Sequence, residues 1–315
     1  MRCRWMSISI LALLIYPASS WAAERIRFAY PAKSLNMLPV FLGKEKGIYL
    51  GEGIDLEPIQ VGSAIQITAL MTGDIHFAGA QASVITAAAK GLPVKVVAFI
   101  TVKPSFWLVA KPEILSIADL RGKIIGISTV GAATDTLTRY LLKKYGLVPD
   151  REVALLATGS TANILTALKG GSVDAGILSP PFHAIATKHL GLRILVYLGD
   201  HVEQSLSGIG ASEKLLREKA DLVKKVLRAT LKALDFVRRN REDTVQYIMK
   251  EWKVDRPLGE ELYLSMLPAF SQDGSMGEKG IRETVDRERE RMGIRGEIAV
   301  TRVVDLRLLR ELRKE

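Results

Sequence analysis

Two lengths of this chain repeat one another, and that duplication restricts the fold more than any other feature of the sequence. Gly62-Ser63-Ala64-Ile65-Gln66-Ile67-Thr68-Ala69-Leu70-Met71-Thr72-Gly73-Asp74-Ile75 is matched by Gly159-Ser160-Thr161-Ala162-Asn163-Ile164-Leu165-Thr166-Ala167-Leu168-Lys169-Gly170-Gly171-Ser172-Val173. Each reads as a tight turn, a helix capped by Ser or Thr, a glycine stop and the start of a buried strand. Thr68-Ala69-Leu70 falls on Thr166-Ala167-Leu168 at an offset of 98 and Gly62 on Gly159 at 97, so a one-residue indel is expected between them. The likeness extends upstream: Arg25 to Ala29 matches Lys123 to Ile127 at 98, and Gly47-Ile48 matches Gly146-Leu147 at 99. The chain therefore reads as two βαβαβ units in tandem, which predicts a two-lobed α/β protein with something held between the lobes.

The remaining elements fit that order. Strands are expected at 26–30, 54–58, 75–79 and 94–100, with helices at 40–46 and 81–90; strands alternating with helices over such spans imply parallel sheets. Phe106 to Ala110 is a further extended run, where the chain is expected to cross between lobes. The second unit has strands at 124–128, 153–156, 175–178 and 192–198 and helices at 134–145, 161–169 and 181–189, with a return crossing near Gly199 to Gly208. Beyond Glu213 the pattern is helical: Leu222, Val226, Ala229, Ala233, Phe236 and Val237 keep a helical period within 221–239. Helices are also expected at about 243–252, at 279–292 with a solvated, charge-paired face, and as one amphipathic last helix from Val303 to Leu312.

The first residues differ from the rest. Met1-Arg2-Cys3-Arg4 is basic, Ile8 to Tyr16 is apolar, and Pro17 to Ala22 supplies a breaker and small residues, which describes a secretory signal cleaved after Ala22. The apolar run is shorter than the roughly 20 residues of a spanning helix. Cys3, the one cysteine of the 315 residues, lies within the expected signal, so the mature chain is expected to have no disulfide, thiol nucleophile or thiolate metal site. Without Arg2 and Arg4, 42 basic residues face 34 acidic ones, a net charge of +8. Basic and acidic residues are mixed along the helices and no nucleic-acid motif is present, so nucleic acid is not an expected partner.

The usual catalytic constellations are missing. His76, His183, His189 and His201 have no helical zinc spacing. Gly126-Ile127-Ser128-Thr129-Val130-Gly131 has one residue too many for a nucleophile elbow, and Gly51-Glu52-Gly53 lacks the third glycine of a dinucleotide loop. The pattern points to binding, with no enzyme activity, cofactor or metal expected. In open α/β sheets ligands lie beyond the strand carboxyl ends, where helix starts offer unpaired N–H groups. The candidates in the first lobe are Tyr30, Lys33-Ser34-Leu35-Asn36, Gly62-Ser63-Ala64 and Ala80-Gln81-Ala82-Ser83. In the second they are Ser128, Thr129, Val130, Gly131, Ala132, Ala133 and Thr134, then Gly159-Ser160-Thr161, and Ser179-Pro180-Pro181-Phe182. Plain helix capping is the alternative at each. Tyr30, Phe106, Trp107 and Phe182 are the candidate apolar walls, with core packing as the alternative; Lys33, Lys103, Arg139 and His183 are the candidate charge partners. Ala64 and Gln66 against Thr161 and Asn163 are expected to make the two walls unequal.

The signal, the strand from Ile26 to Tyr30, Gly62-Ser63 with its helix and Gly73-Asp74-Ile75, Asp119-Leu120-Arg121-Gly122-Lys123, the second Gly-Ser turn and the ending at Val304-Asp305-Leu306 together resemble the NMT1/THI5-like substrate-binding proteins of ABC transporters. The resemblance covers nearly all of the mature chain. It implies an α/β, periplasmic-binding-protein type 2 fold: two βαβ lobes, a two-segment hinge and a helical C-terminal region. The expected division is a signal at 1–22, a discontinuous first lobe at 23–105 and 200–315, and an inserted second lobe at 106–199. It further implies a monomer in the periplasm that takes a small-molecule ligand, anionic or heteroaromatic, to a permease of the ABC transporter. Enzymatic relatives rely on cysteine, which the mature chain lacks. A secreted enzyme of the same fold and a ligand-presenting sensory protein are the alternatives.

Overall fold

A computed structural model describes residues 23–31 and 33–314; the expected signal, with Cys3, lies outside the described residues. The first unit runs β1 (Glu24–Tyr30), α1 (Leu38–Glu45), β2 (Ile54–Gln60), α2 (Ser63–Thr72), β3 (Phe77–Ala78), α3 (Gln81–Ala89) and β4 (Val94–Phe99). After β5 (Trp107–Ala110) the order repeats: β6 (Ile124–Ile127), α4 (Ala133–Lys144), β7 (Ala154–Ala157), α5 (Thr161–Lys169), β8 (Ala175–Leu178), α6 (Phe182–Leu190) and β9 (Arg193–Tyr197). There follow β10 (Gly208–Ser212) and the helices α7 (Glu213–Glu218), α8 (Ala220–Arg239), α9 (Arg241–Trp252), α10 (Arg256–Met266), α11 (Glu278–Arg291), α12 (Val300–Val303) and α13 (Arg307–Leu312).

The strands form two five-stranded sheets, β2-β1-β3-β10-β4 and β7-β6-β8-β5-β9. With β1 set against β6 the two orders are the same. Within each, the neighbours that belong to the repeated unit pair in parallel, β1 with β2 and β3, and β6 with β7 and β8. The fourth strand is antiparallel to its neighbours and comes from outside the repeated unit: β10 in the first sheet, β5 in the second. The chain therefore passes between the sheets twice, after β4 and after β9.

The repeat is visible in the caps. Gly47 (φ 69°) and Gly146 (φ 74°) both take the left-handed backbone that a side chain resists. The next N–H closes the same loop in each, Ile48 onto Gly43 O and Leu147 onto Leu142 O, both at 2.9 Å. At the second helix the structure corrects the register. Gly62 is the N-cap of α2 and Ser160 the N-cap of α5, and Gly73 and Gly171 share a positive φ after these helices. The offset is thus 98 from cap to stop, with no indel. Ser63 is a first helical residue rather than a cap, and Gln66 coincides with Ile164, not with Asn163.

Two further differences have physical causes. The helix expected from Val303 is broken: Val304 is extended and bridges Val96 of β4, the Asp305 N–H reaches Val96 O at 2.9 Å, and α13 restarts at Arg307. Joining the sheet outweighs a local helical period. The helix α10 was not expected, although Asp255 caps it through the Leu258 N–H and Pro257 sits in its first turn.

The largest apolar cluster spans the first sheet and the C-terminal helices, and smaller clusters cover the two faces of the second sheet. α8 buries Leu222, Val226, Ala229, Ala233 and Val237 as its period implies, and lies along α1. Helix α5 comes so close to the second sheet that a Cβ on Gly176 would stand 2.3 Å from Ile164 Cγ2, a distance that requires glycine there. Among the described residues no helix is long and apolar enough to cross a membrane.

Candidate functional site

At the carboxyl end of β6, Thr134 Oγ1 accepts from the Ser128 N–H (2.9 Å) and shares a hydrogen bond with the Ser128 hydroxyl (2.7 Å). Thr134 is buried, so this pair ties the strand end to the first turn of α4. Thr129 and Gly131 are exposed, and Ala132 and Ala133 are half-buried at the helix start. The Gly131 N–H donates to Asp135 Oδ2 at 2.7 Å, and the Arg139 Nε–H donates to Asp135 Oδ1 at 2.7 Å. Asp135, 2% exposed, was not among the expected site residues; an acid in a first helical turn was the signal that could have found it. The second Gly-Ser turn sits beside this loop, with the Gly159 N–H on Ser128 O at 2.7 Å. Ser160 Oγ is committed to the Asn163 N–H. Thr161 and Ser179 share a hydroxyl hydrogen bond of 3.1 Å that joins the starts of α5 and α6.

The first sheet gathers its candidates in the same way. Tyr30 O accepts from the Val61 N–H at 3.0 Å. Gln66, fully buried, donates from Nε2 to Val61 O (2.7 Å) and accepts at Oε1 from the Ala80 N–H (3.1 Å). It is therefore a tie between the turn before α2 and the start of α3, and the expectation that it forms a cleft wall is corrected. Ser63 and Ser34 are half-buried and make no cap.

Asn36 and Gln81 are engaged with the segments that pass between the sheets. Asn36 Oδ1 accepts from the Ser105 hydroxyl at 2.6 Å, and its backbone carbonyl accepts from the Ser207 hydroxyl at 2.7 Å. One residue thus joins the outward and the return crossing, which Thr101 and Ser207 also link directly. Gln81 is 1% exposed; its Oε1 accepts from the Ser205 hydroxyl and its Nε2 has no partner. None of these serines was an expected site residue. They lie 69 to 171 positions from their partners, beyond the reach of any local pattern.

The aromatic and charged candidates are differently placed from what was expected. Trp107 is 6% exposed and stacks on His183 (centroids 3.9 Å, 10° between planes) and on Tyr197 (4.9 Å, 26°). The ring expected to wall a pocket is largely taken up by these two neighbours, with Phe182 packed nearby. His183 was expected to be a charge partner, but burial pushes its pKa down to about 4, so it is neutral near pH 7. Tyr30 meets the edge of Phe41 at 4.9 Å. Each remaining charge candidate already has a carboxylate: Lys33 has Glu251, Lys103 has Asp200 at 3.8 Å, and Arg139 has Asp135 and Asp150. The two halves also touch through α6 and α10: Lys188 donates to Pro257 O (2.9 Å) and pairs with Glu261 (2.8 Å).

A cavity of about 1220 Å³ lined by Lys95, Glu213, Arg217 and Leu309, and one of about 420 Å³ lined by Met71, Pro93, Leu215 and Arg217, lie at the opposite, amino ends of the first sheet's parallel strands.

Known proteins resemble this chain in sequence or in fold. A Brucella abortus (strain 2308) protein, named provisionally as a binding protein, is 27% identical over 278 residues, 84% of this chain and 86% of its own. The riboflavin-binding protein RibY of Chloroflexus aurantiacus is 25% identical over 252 residues, 76% of this chain and 71% of its own. The structure of the periplasmic aliphatic sulphonate binding protein SsuA from Escherichia coli superimposes with a TM-score of 0.75 at 18% identity, covering 91% of this chain and 99% of that one; this gives the periplasmic-binding-protein fold. The profile of the family described as NMT1/THI5 like matches residues 34–244, and the chain belongs to that family.

Proposed function

We propose that this solute-binding protein is exported to the periplasm, closes two lobes (23–105 with 200–315, and 106–199) around a small anionic or heteroaromatic metabolite, and delivers it to an ABC permease. One observation carries the reading: two sheets of identical strand order, each completed by a strand that arrives through one of two crossings, the connectivity of a two-segment hinge. The polar candidates of both sheets stand at strand carboxyl ends, where open α/β sheets take ligands. The relatives named for binding riboflavin and sulphonates support a small organic solute. Ligand that touches both lobes favours the closed state by its differential affinity.

The test is a thermal-shift screen of the mature chain against sulfonates, nitrate, dicarboxylates, aromatic carboxylates, pyrimidines and riboflavin. Stabilisation should follow free ligand concentration by mass action, and small-angle scattering should show compaction. A screen without stabilisation, together with unchanged scattering in a dialysed cell extract, would refute the reading.

A further inference from the structure

The cavity of about 420 Å³ lies at the far end of the first sheet from the polar candidates, and the solute-binding reading makes no use of it. Its size falls within the ~300–1,000 Å³ of small-molecule pockets. Three segments build it: the end of α2 with the turn into β3, Pro93 ahead of β4, and α7 with the Ser212 that caps it. Leu70 and Ile75, 2% and 5% exposed, line it together with Pro93, Leu215 and Met71. Met71 is 43% exposed, so part of this apolar lining is left open to water.

His76 lines the same cavity, and its tautomer is fixed by the backbone. Its Nδ1 accepts from the Arg27 N–H at 3.1 Å, which leaves the hydrogen of a neutral ring on Nε2. Burial, with Lys219 and Arg27 close by, pushes its pKa below the usual 6.5, so the ring is neutral near pH 7. Among the described residues the Nε2–H has no hydrogen-bond partner. The ionic groups on the lining do not cancel. Glu213 is paired with Lys95 at 3.2 Å and Lys219 with Glu24 at 2.9 Å. Lys214 and Arg217, exposed and without a carboxylate partner among the described residues, remain against Glu218. Two cations against one acid leave an excess of one positive charge.

The chemistry of an occupant follows from this lining. A carboxylate leaves water favourably only where charged or N–H donors receive it, and His76, Lys214 and Arg217 are such donors. A second negative charge on the ligand would exceed the surplus and be repelled by Glu218. An uncharged apolar molecule would cover the imidazole N–H without pairing it, whereas an apolar tail removes Met71 and Leu215 from water. We propose that this cavity is a second ligand site, separate from the region between the sheets. It takes a soluble monocarboxylate with a short apolar tail, its carboxylate on His76, Lys214 and Arg217 and its tail on Leu70, Met71 and Leu215.

Methyl-resolved NMR titration of the purified mature chain tests this, with octanoate as the probe and octan-1-ol, octylamine and acetate as controls lacking the negative charge or the tail. Octanoate is expected to bind most tightly, to shift the methyl signals of Leu70, Met71, Ile75 and Leu215, and to bind more weakly at high salt because its cations are exposed. Met71→Glu, which sets a carboxylate into the cavity, and Lys214→Glu combined with Arg217→Glu should each weaken octanoate about tenfold or more. His76→Phe should weaken octanoate while leaving octan-1-ol unchanged; a role in packing alone would lower both together. Melting curves of the free variants establish that they are folded. Shifts confined to methyls elsewhere, equal affinity for octanoate and octan-1-ol, unchanged affinity in both Met71→Glu and the double variant, or no response to octanoate overturns the proposal. Shifts of the same methyls on concentrating the protein alone would assign this face to a second copy and also overturn it.

Discussion

Gln66 occupies in α2 the place that Ile164 occupies in α5, and both are fully buried. Duplication produced equivalent sites, one filled by an amide and the other by a hydrocarbon, so the cost of exchanging them is calculable. Gln66→Leu would leave Val61 O and the Ala80 N–H without their side-chain partner. It is expected to destabilise by about 2–3 kcal/mol, read from urea denaturation midpoints. His183 makes a second prediction. Burial lowers its pKa from 6.5 to about 4, so the unfolded chain binds the proton first. Stability is full above pH 6.5 and is lost as pH falls towards 4, by about 3 kcal/mol over that window. The difference in denaturation free energy between wild type and His183→Gln should show that loss, since His76 and His201, whose pKa values are also lowered, are common to both. At this scale the sequence reveals which residues are polar at helix starts and conceals what they meet. Asn36 and Gln81 could be named from their positions. Their partners Ser105, Ser205 and Ser207 could not, and neither could the Glu251 that holds Lys33, because these pairings depend on how distant segments return.

Element by element, the periodic signals were the readable ones. The expected bounds of α5 (Thr161–Lys169) and β8 (Ala175–Leu178) coincide with those observed, because glycines and a capping serine punctuate a strong pattern there. Identity of letters misled where geometry differed: Gly-Ser occurs before both α2 and α5, yet the N-cap is glycine in one and serine in the other. Ser160→Ala should therefore cost about 1 kcal/mol by freeing the Asn163 N–H, while Ser63→Ala, with no cap to lose, should stay within about 0.5 kcal/mol. Equal losses in the two variants, measured by thermal or chemical denaturation, would show that the caps are wrongly assigned. The broken C-terminal helix illustrates the other failure. Its apolar spacing is helical, but Val304 finds a strand edge at Val96, and tertiary pairing overrides local propensity.

For the whole molecule, the repeat was sufficient to anticipate two sheets and a double passage between them, while the contact between α6 and α10 left no trace in the local sequence. The double passage has a clasp in Asn36, which takes a hydrogen bond from each crossing. Asn36→Ala removes the side-chain acceptor for Ser105, which is 0% exposed, and should cost about 1–3 kcal/mol. If the crossings form the hinge, it should also change the radius of gyration of the unliganded chain; a stability loss without any change in scattering would make Asn36 a packing residue only. The route of the chain also fixes an order of assembly. The strands of the second sheet all lie within Trp107–Tyr197, but β10 stands between β3 and β4 in the first sheet and is not made until Gly208–Ser212. A growing chain can therefore complete its second half while its first half still has an open seam along β3 and β4. The half that begins first finishes last.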